Sequence, residues 1–234
     1  MNYARTKTLQ GLLCLSFLIS PLVSHAAVKG APTTGGSGVL SATGQTNAPE
    51  GTPTREIQDI ETKMENFKTG KDVSAEDRAK NAQIKKDILN GTFDLRELSK
   101  LALDKYWNQI SAAEQNNFVS LMTELLETKA IFSKEQSKAQ GKNYTVQYLG
   151  DTFTDNKNQA KTRTKIVITK DATKIDIDYK LKKGAGGWKI FDVVVDDASL
   201  VENYRFQFDS IISKHGYPEL VNRMRGKLNE LKAK

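Results

Sequence analysis

Hydrophobic and polar positions change their spacing twice along the chain, from helical to alternating and back to helical. Two capping signatures open helices early in the chain, since Ser74 is followed by Asp77 and Ser111 by Glu114. Apolar residues recur at helical spacing between and after these signatures. They are Phe93, Leu95, Leu98, Ala102 and Trp107, and then Phe118, Leu121, Met122, Leu125 and Phe132. The pattern predicts a helix-rich region before residue 144.

From Tyr144 onward, polar and apolar residues alternate with a period of two. The alternating segments are 144–148, 161–169, 174–182 and 188–195, with the glycine-rich turn 184–187 before the last of them. In the third segment, for example, Ile177 stands between Asp176 and Asp178. Such alternation is typical of strands that are covered on one face and wet on the other, so it predicts a single-sided antiparallel sheet of four strands.

Two further helices are predicted after the sheet. Ser199 is placed to cap the first helix, and Pro218 stands at the start of the second. Their apolar stripes are Val201, Tyr204, Phe208 and Ile211, and then Val221, Met224, Leu228 and Leu231. The order of elements predicts an α+β fold, a curved four-stranded antiparallel sheet packed on one face by helices.

The N-terminal segment does not share this pattern. Residues 1–26 combine a short positive stretch, an apolar run and small residues up to Ala26, which predicts a Sec-type signal peptide. The apolar run has about half of the ~20 residues that a membrane-spanning helix needs. Residues 27–54 are rich in Gly, Ser, Thr, Ala and Pro and are predicted to be a disordered linker, serving as a tether or simply tolerated. The folded domain is expected at 55–234, in the periplasm.

Composition narrows the class of protein. The 234 residues are 38% hydrophobic and 27% charged, which excludes a protein with many membrane spans. The only cysteine, Cys14, lies in the predicted signal peptide together with His25, and His215 is the one histidine after residue 26, so a Cys/His metal site lacks ligands and none is proposed. The formal net charge is +7. Because the chain is predicted to be exported, we interpret this surplus as a solvated face that meets an anionic membrane or a protein partner rather than nucleic acid.

Few residues carry a catalytic pattern, and we predict no catalytic residue. His215 precedes Gly216 at a predicted helix end, where an imidazole commonly meets the last carbonyl groups. Asp196 and Asp197 either act in acid–base chemistry, bind a cation, or simply precede a helix N-terminus. Asp192 falls on the covered face by strict alternation, so either a β-bulge shifts the register or its carboxylate bonds to the backbone.

Two segments resemble a known family. The first runs from Phe93-Asp94-Leu95 through Tyr106-Trp107 to Phe118 and includes the stretch ISAAE at 110–114. The second reads GWKIFDV at 187–193 and SLVENYRFQF at 199–208. Both are similar to the signature runs of MlaC-like proteins, also called the toluene-tolerance family, and the similarity covers about residues 75–232. One departure is Asp196-Asp197, which stands where the family usually has Glu-Gly.

The resemblance implies a cystatin-like or nuclear-transport-factor-like fold with an apolar pocket between sheet and helices, and no catalysis. It implies a periplasmic carrier that moves phospholipid between an outer-membrane lipoprotein complex and an inner-membrane MCE-type ABC transporter complex. We expect a monomer that needs no cofactor, with phospholipid as cargo. The residues expected to contact the lipid are Leu121, Leu125, Val146, Tyr148, Ile166, Ile168, Ile177, Tyr179, Trp188, Ile190, Tyr204 and Phe208.

Other functions stay open at this point. The chain could carry another apolar lipid, such as a hopanoid or a sterol-like molecule. It could also be an enzyme on the same fold, as in ketosteroid-isomerase-like proteins, which requires Asp192 or Asp196 inside the cavity with a raised pKa. A purely structural interaction domain would have no cavity.

Overall fold

The structure is a computed structural model and describes residues 47–64, 66–68, 73–128, 144–168 and 172–233. The predicted signal peptide, residues 27–46 of the predicted linker and Phe132 lie outside these residues. In chain order the elements are α1 (Pro53–Met64), α2 (Ala75–Thr92), α3 (Leu95–Leu103), a 3₁₀-helix (Asp104–Gln109), α4 (Ala112–Thr128), β1 (Tyr144–Phe153), β2 (Gln159–Ile168), β3 (Lys174–Gly184), β4 (Gly187–Val195), β5 (Ala198–Ser199), α5 (Leu200–His215) and α6 (Tyr217–Lys232).

The predicted helix caps are confirmed. Ser74 accepts a hydrogen bond from the Asp77 N–H at 3.0 Å. At the start of α4, Ser111 Oγ accepts from the Glu114 N–H at 3.3 Å while Glu114 accepts from the Ser111 N–H at 2.8 Å. This reciprocal pair satisfies two N–H groups that would otherwise lack partners. Ser199 caps α5 through the Glu202 N–H.

The strands form one antiparallel meander in the order β1-β2-β3-β4-β5. The prediction of four strands was wrong by one short strand, since Ala198–Ser199 pairs with the end of β4. The turn between them is Asp196-Asp197, and both residues have positive φ, 46° and 66°. A two-residue turn of this kind matches the twist of a hairpin, so the chain folds back and adds a strand where the sequence suggested only an approach to a helix.

The folded region begins earlier than predicted, because Pro53 and Thr54, assigned to the linker, form the first turn of α1. Thr54 donates hydrogen bonds to Asp151 on β1 from its N–H and from its hydroxyl. The indole N–H of Trp188 donates to the carbonyl of Gly51 at 3.1 Å. Pro and Thr are also favoured at helix starts, so composition alone cannot separate them from a linker.

The helices form a layer over one face of the sheet. α1 crosses β1, β2 and β4, while α2, α3 and α5 approach β4. α4 and α6 pack on each other and on α3 and α5 respectively, so they lie further from the strands. One hydrophobic cluster joins both layers. None of the helices in the described residues is both long and apolar enough to cross a membrane.

Candidate functional site

The covered face of the sheet holds eight of the twelve predicted contact residues. The register places Val146 opposite Ile166. It places Thr164 opposite Ile177, and Tyr179 opposite Val193. The eight residues are Val146, Tyr148, Ile166, Ile168, Ile177, Tyr179, Trp188 and Ile190, all buried except Tyr179, which is half-buried. The single-sided sheet is therefore confirmed for these positions.

The helical side of the same core holds the other four residues. Leu121 and Leu125 come from α4, and Tyr204 and Phe208 come from α5; all four are buried in the hydrophobic cluster. The rings of Tyr204 and Phe208 stack with centroids 5.3 Å apart, and Phe118 meets Phe208 edge-on at 5.7 Å. Burial raises the pKa of the Tyr204 phenol far above its usual range, so this group stays neutral.

The helices do not cover all strands equally. Four helices approach β4, whereas β1 and β2 are contacted by α1, which also reaches β4 on the far side of β3. Ile177 and Leu181 of β3 are buried, at 5% and 0% exposure. Their side chains therefore face the interior at the middle of the sheet.

Trp188 and Leu121 lie at the margins of this arrangement. Trp188 bonds to Gly51, and its ring packs against Phe153 at 5.8 Å, so it belongs to the contact with the N-terminal segment. Leu121 faces a groove of about 270 Å³ between α4 and α6. The groove is lined by Asn117, Phe118, Ser120, Leu121, Glu124, Tyr217, Val221, Arg225 and Leu228. Burial and the Glu114 carboxylate raise the pKa of Tyr217 to about 12.

The sequence pattern did not predict one polar group on the covered face, the carboxylate of Asp151. A β-bulge between Tyr148 and Gly150 reverses the alternation of β1, so Asp151 turns toward the helices. Its carboxylate accepts from Thr162 Oγ1 at 2.6 Å and from the N–H and hydroxyl of Thr54 at the start of α1. A negative charge at a helix N-terminus is favourable. The only sequence signal was Gly150 within the strand, a common mark of a bulge.

Asp192 has both features that the sequence offered as alternatives. A register shift in the β3–β4 pairing places it opposite Lys180 on the outer face of the sheet, away from Ile190. Its carboxylate accepts from the Val201 N–H at 3.0 Å and from the Ser199 hydroxyl at 2.8 Å. Asp192 therefore does not lie on the covered face, as strict alternation predicts, because the bulge moves it to the other side.

Asp196 and His215 also lie away from the covered face. Asp196 is exposed in the β4–β5 turn, and its carboxylate accepts from the Asp176 N–H at 3.0 Å. His215 is exposed in the last turn of α5. The geometry therefore gives no support to an enzyme that uses Asp192 or Asp196 inside the pocket. The described residues hold no group of three His, Cys, Asp or Glu side chains placed to bind a metal ion.

Comparison with known proteins gives three findings. The family model described as MlaC protein matches residues 58–226. The intermembrane phospholipid transport system binding protein MlaC of Haemophilus influenzae is 25% identical over 124 residues, so the alignment spans 52% of this chain and only 56% of that relative. A solved structure of the phospholipid-binding protein from Ralstonia solanacearum, in complex with a phospholipid, matches with a TM-score of 0.58 at 20% identity, over 76% of this chain and 94% of that one. The last likeness shows a shared fold.

Proposed function

Because this chain belongs to the MlaC family, we propose that it is an exported carrier that shields phospholipid acyl chains between its sheet and its helices. It shuttles them through the periplasm between an outer-membrane lipoprotein complex and an inner-membrane MCE-type ABC transporter complex. The sequence pattern of residues 1–26 supports export. The names of the Haemophilus relative and the Ralstonia structure support phospholipid as the cargo.

The task of such a carrier is set by the hydrophobic effect. An acyl chain of about 15 methylenes costs roughly 12 kcal/mol to expose to water, at ~0.8 kcal/mol per methylene. The carrier must therefore surround the chain with apolar side chains, while the polar headgroup can stay in water. Binding of this kind needs aliphatic and aromatic lining and no nucleophile, metal or cofactor.

The observation that carries the proposal is the apolar face of β2 and β3. Ile166, Ile168 and Ile177 are 3% to 5% exposed. β3 lies in the middle of the sheet, between β2 and β4. Tyr204 and Phe208 approach the same interior from α5. We assign the acyl chains to the space between these two groups, with Trp188 at one end of it.

Mass spectrometry of the purified protein tests the cargo. Protein secreted to the periplasm of a Gram-negative host and purified without detergent should show an added mass equal to one or more phospholipids. Organic extraction then identifies the lipid class, and a hopanoid or sterol-like mass in place of phospholipid would favour the alternative carrier. Protein that is lipid-free and takes up no phosphatidylethanolamine or phosphatidylglycerol from vesicles after delipidation would overturn the proposal.

Transfer between membranes is tested separately. Donor vesicles with a self-quenched fluorescent phospholipid are mixed with unlabelled acceptor vesicles. The carrier should speed dequenching in proportion to its concentration, since each molecule removes one lipid load from the donor. Binding without any acceleration would leave the chain a lipid-binding protein and overturn the shuttle.

A further inference from the structure

Asp192 is a buried carboxylate on the face of the sheet that the lipid proposal does not use. It is 2% exposed, and the β4 bulge places it opposite Lys180 on β3. The ammonium of Lys180 lies 2.9 Å from Asp192 Oδ2 and is itself partly exposed to solvent. A buried carboxylate persists where cations and hydrogen-bond donors satisfy it.

The remaining partners of Asp192 belong to the start of α5. Asp192 Oδ1 accepts from the Val201 N–H at 3.0 Å, and Oδ2 accepts from the Ser199 hydroxyl at 2.8 Å. Ser199 Oγ in turn accepts from the Glu202 N–H at 3.1 Å. Two N–H groups of the first turn of α5 are thus satisfied, one of them by a side chain from the sheet. The carboxylate also places negative charge at the positive end of the helix.

The helix fixed in this way carries two of the proposed lipid contacts. Tyr204 lies three residues after Val201, less than one turn from the clamp, and Phe208 lies about one turn further. Further along α5, the Arg205 guanidinium donates to the Leu101 carbonyl at 3.1 Å, which ties this helix to α3 rather than to the sheet. The position of Tyr204 relative to β4 therefore depends on the N-terminal attachment, which is made by the β4–β5 pairing and by Asp192.

We propose that Asp192 is a positioning residue, which clamps the N-terminus of α5 to the sheet and thereby sets how tightly the interior retains an acyl chain. The inference rests on the proposed function. A carboxylate suits this role because it accepts from three donors on three elements, Lys180 on β3, Ser199 on β5 and Val201 on α5, whereas the amide of asparagine cannot accept at both of its polar ends. Loosening the clamp widens the space beneath Tyr204 and lets bound lipid leave faster.

The test compares Asp192→Asn with Asp176→Asn in the full-length mature chain. Asp176 is also a sheet carboxylate paired with a lysine, 3.2 Å from Lys165, but it is exposed and its carboxylate has no contact with α5. Each variant is loaded with NBD-labelled phosphatidylglycerol, and its release into excess unlabelled vesicles is followed. The measuring temperature is set the same number of degrees below the melting temperature of each variant. Asp192→Asn should release lipid about tenfold faster than the wild type, which is the factor expected from the loss of one charge-assisted hydrogen bond. Asp176→Asn should match the wild type.

Hydrogen exchange on delipidated protein keeps the inference separate from the cargo. Asp192→Asn should deprotect the amides of residues 201–208 and leave those of α6 unchanged. If Asp192→Asn fails to fold, the milder Ser199→Ala variant, which keeps the Asp192 carboxylate, takes its place. It should deprotect the same amides to a smaller extent. If Asp192→Asn lowers the melting temperature but leaves lipid release and hydrogen exchange in α5 as in the wild type, Asp192 contributes to stability only and the proposed clamp is wrong. Wild-type protein that binds no phospholipid would overturn the proposed function, while the exchange result still decides the clamp.

Discussion

Ser99 lies in the middle of α3 and is fully buried. Its hydroxyl has no hydrogen-bond partner in the part of the chain that the structure describes. A buried hydroxyl without a partner keeps its desolvation cost and gains nothing in return. We therefore predict that Ser99→Ala raises the free energy of unfolding by up to about 1 kcal/mol, measured by urea denaturation.

Thr164 provides the matched comparison for Ser99. It is also a buried hydroxyl residue, 2% exposed, but its Oγ1 donates to the Ile177 carbonyl at 3.1 Å. Thr164→Val keeps the shape and removes the bond, so it should lower the free energy of unfolding by about 1 kcal/mol. If both substitutions destabilise the protein equally, the Ser99 hydroxyl has a partner and the reasoning fails.

Asp197 lies in the β4–β5 turn, and replacing it by glycine relieves backbone strain without the loss of a side-chain hydrogen bond to another described residue. Its φ of 66° is costly for a residue with a Cβ and free for glycine. Asp197→Gly should raise the free energy of unfolding by roughly 0.5–1 kcal/mol in thermal or urea denaturation. Asp196→Gly is the control, because it relieves similar strain but loses the hydrogen bond to the Asp176 N–H. A clear loss of stability in Asp197→Gly would contradict the turn geometry.

At the scale of elements, α5 is joined to the helical layer by a small charged cluster. Asp209 lies 2.7 Å from the Lys105 ammonium and accepts from the Tyr106 hydroxyl at 2.9 Å. These hydrogen bonds, first from Lys105 and then from Tyr106, lower the pKa of the Asp209 carboxyl. Burial and the bond to Asp209 raise the pKa of the Tyr106 phenol. The cluster therefore holds the 3₁₀-helix against α5 while Asp209 is ionised.

The lowered pKa of Asp209 gives a pH dependence with a definite sign. A carboxyl whose pKa is lower in the folded state stabilises the fold above its unfolded value of about 3.9, and this contribution is lost as pH falls through the folded value. Asp209→Asn should therefore lower the melting temperature at pH 7, and the gap to the wild type should close as the pH falls below about 4 and through the lowered pKa of the folded state. A gap that stays constant down to the lowest pH would mean that Asp209 acts without its charge.

At the scale of the whole molecule, the outer face of the sheet is a ladder of ion pairs. Lys161 lies 3.2 Å from Asp178, and Lys165 lies 3.2 Å from Asp176, each across neighbouring strands. The basic residues on the outer face of β2, Lys161, Arg163 and Lys165, are therefore paired within the sheet. Exposed pairs of this kind add little stability each, but they keep the uncovered face polar and soluble.

The lipid space itself is tested by filling it. Ile168→Trp adds volume at the end of β2, on the covered face. If the interior is a pocket, the indole occupies part of it, so bound lipid per folded molecule falls while the melting temperature of delipidated protein changes little. Mass spectrometry and thermal denaturation of the same sample measure both quantities.

Leu98→Trp is the control for this substitution. Leu98 lies on α3, outside the residues assigned to the lipid space, and is completely buried in the hydrophobic cluster. Overpacking there should cost about 1–3 kcal/mol of stability. If Ile168→Trp behaves in the same way and leaves lipid per folded molecule unchanged, the residues around Ile168 form a solid core and the pocket is misplaced.

The sequence by itself determined the features that depend on near neighbours in the chain. Ser111 and Glu114 form their capping box within four residues, and Gly184 to Gly187 close a hairpin whose strands follow directly. The alternation of polar and apolar residues predicted which face of β2 and β3 is covered, because successive side chains of a strand point to opposite faces of the sheet. The sequence also indicated the family, since the residues of its signature lie in contiguous stretches of the chain.

The tertiary structure alone decided where that regularity breaks. Two bulges turn Asp151 onto the covered face of the sheet and Asp192 off it, and each carboxylate is satisfied by donors that come from another element. Bulges cost little locally, so their positions are set by partners distant in sequence, such as Thr54 for Asp151 at a separation of 97 residues. The placement of the helices over the sheet has the same origin. It is fixed by how whole elements pack on one another, which no local pattern records.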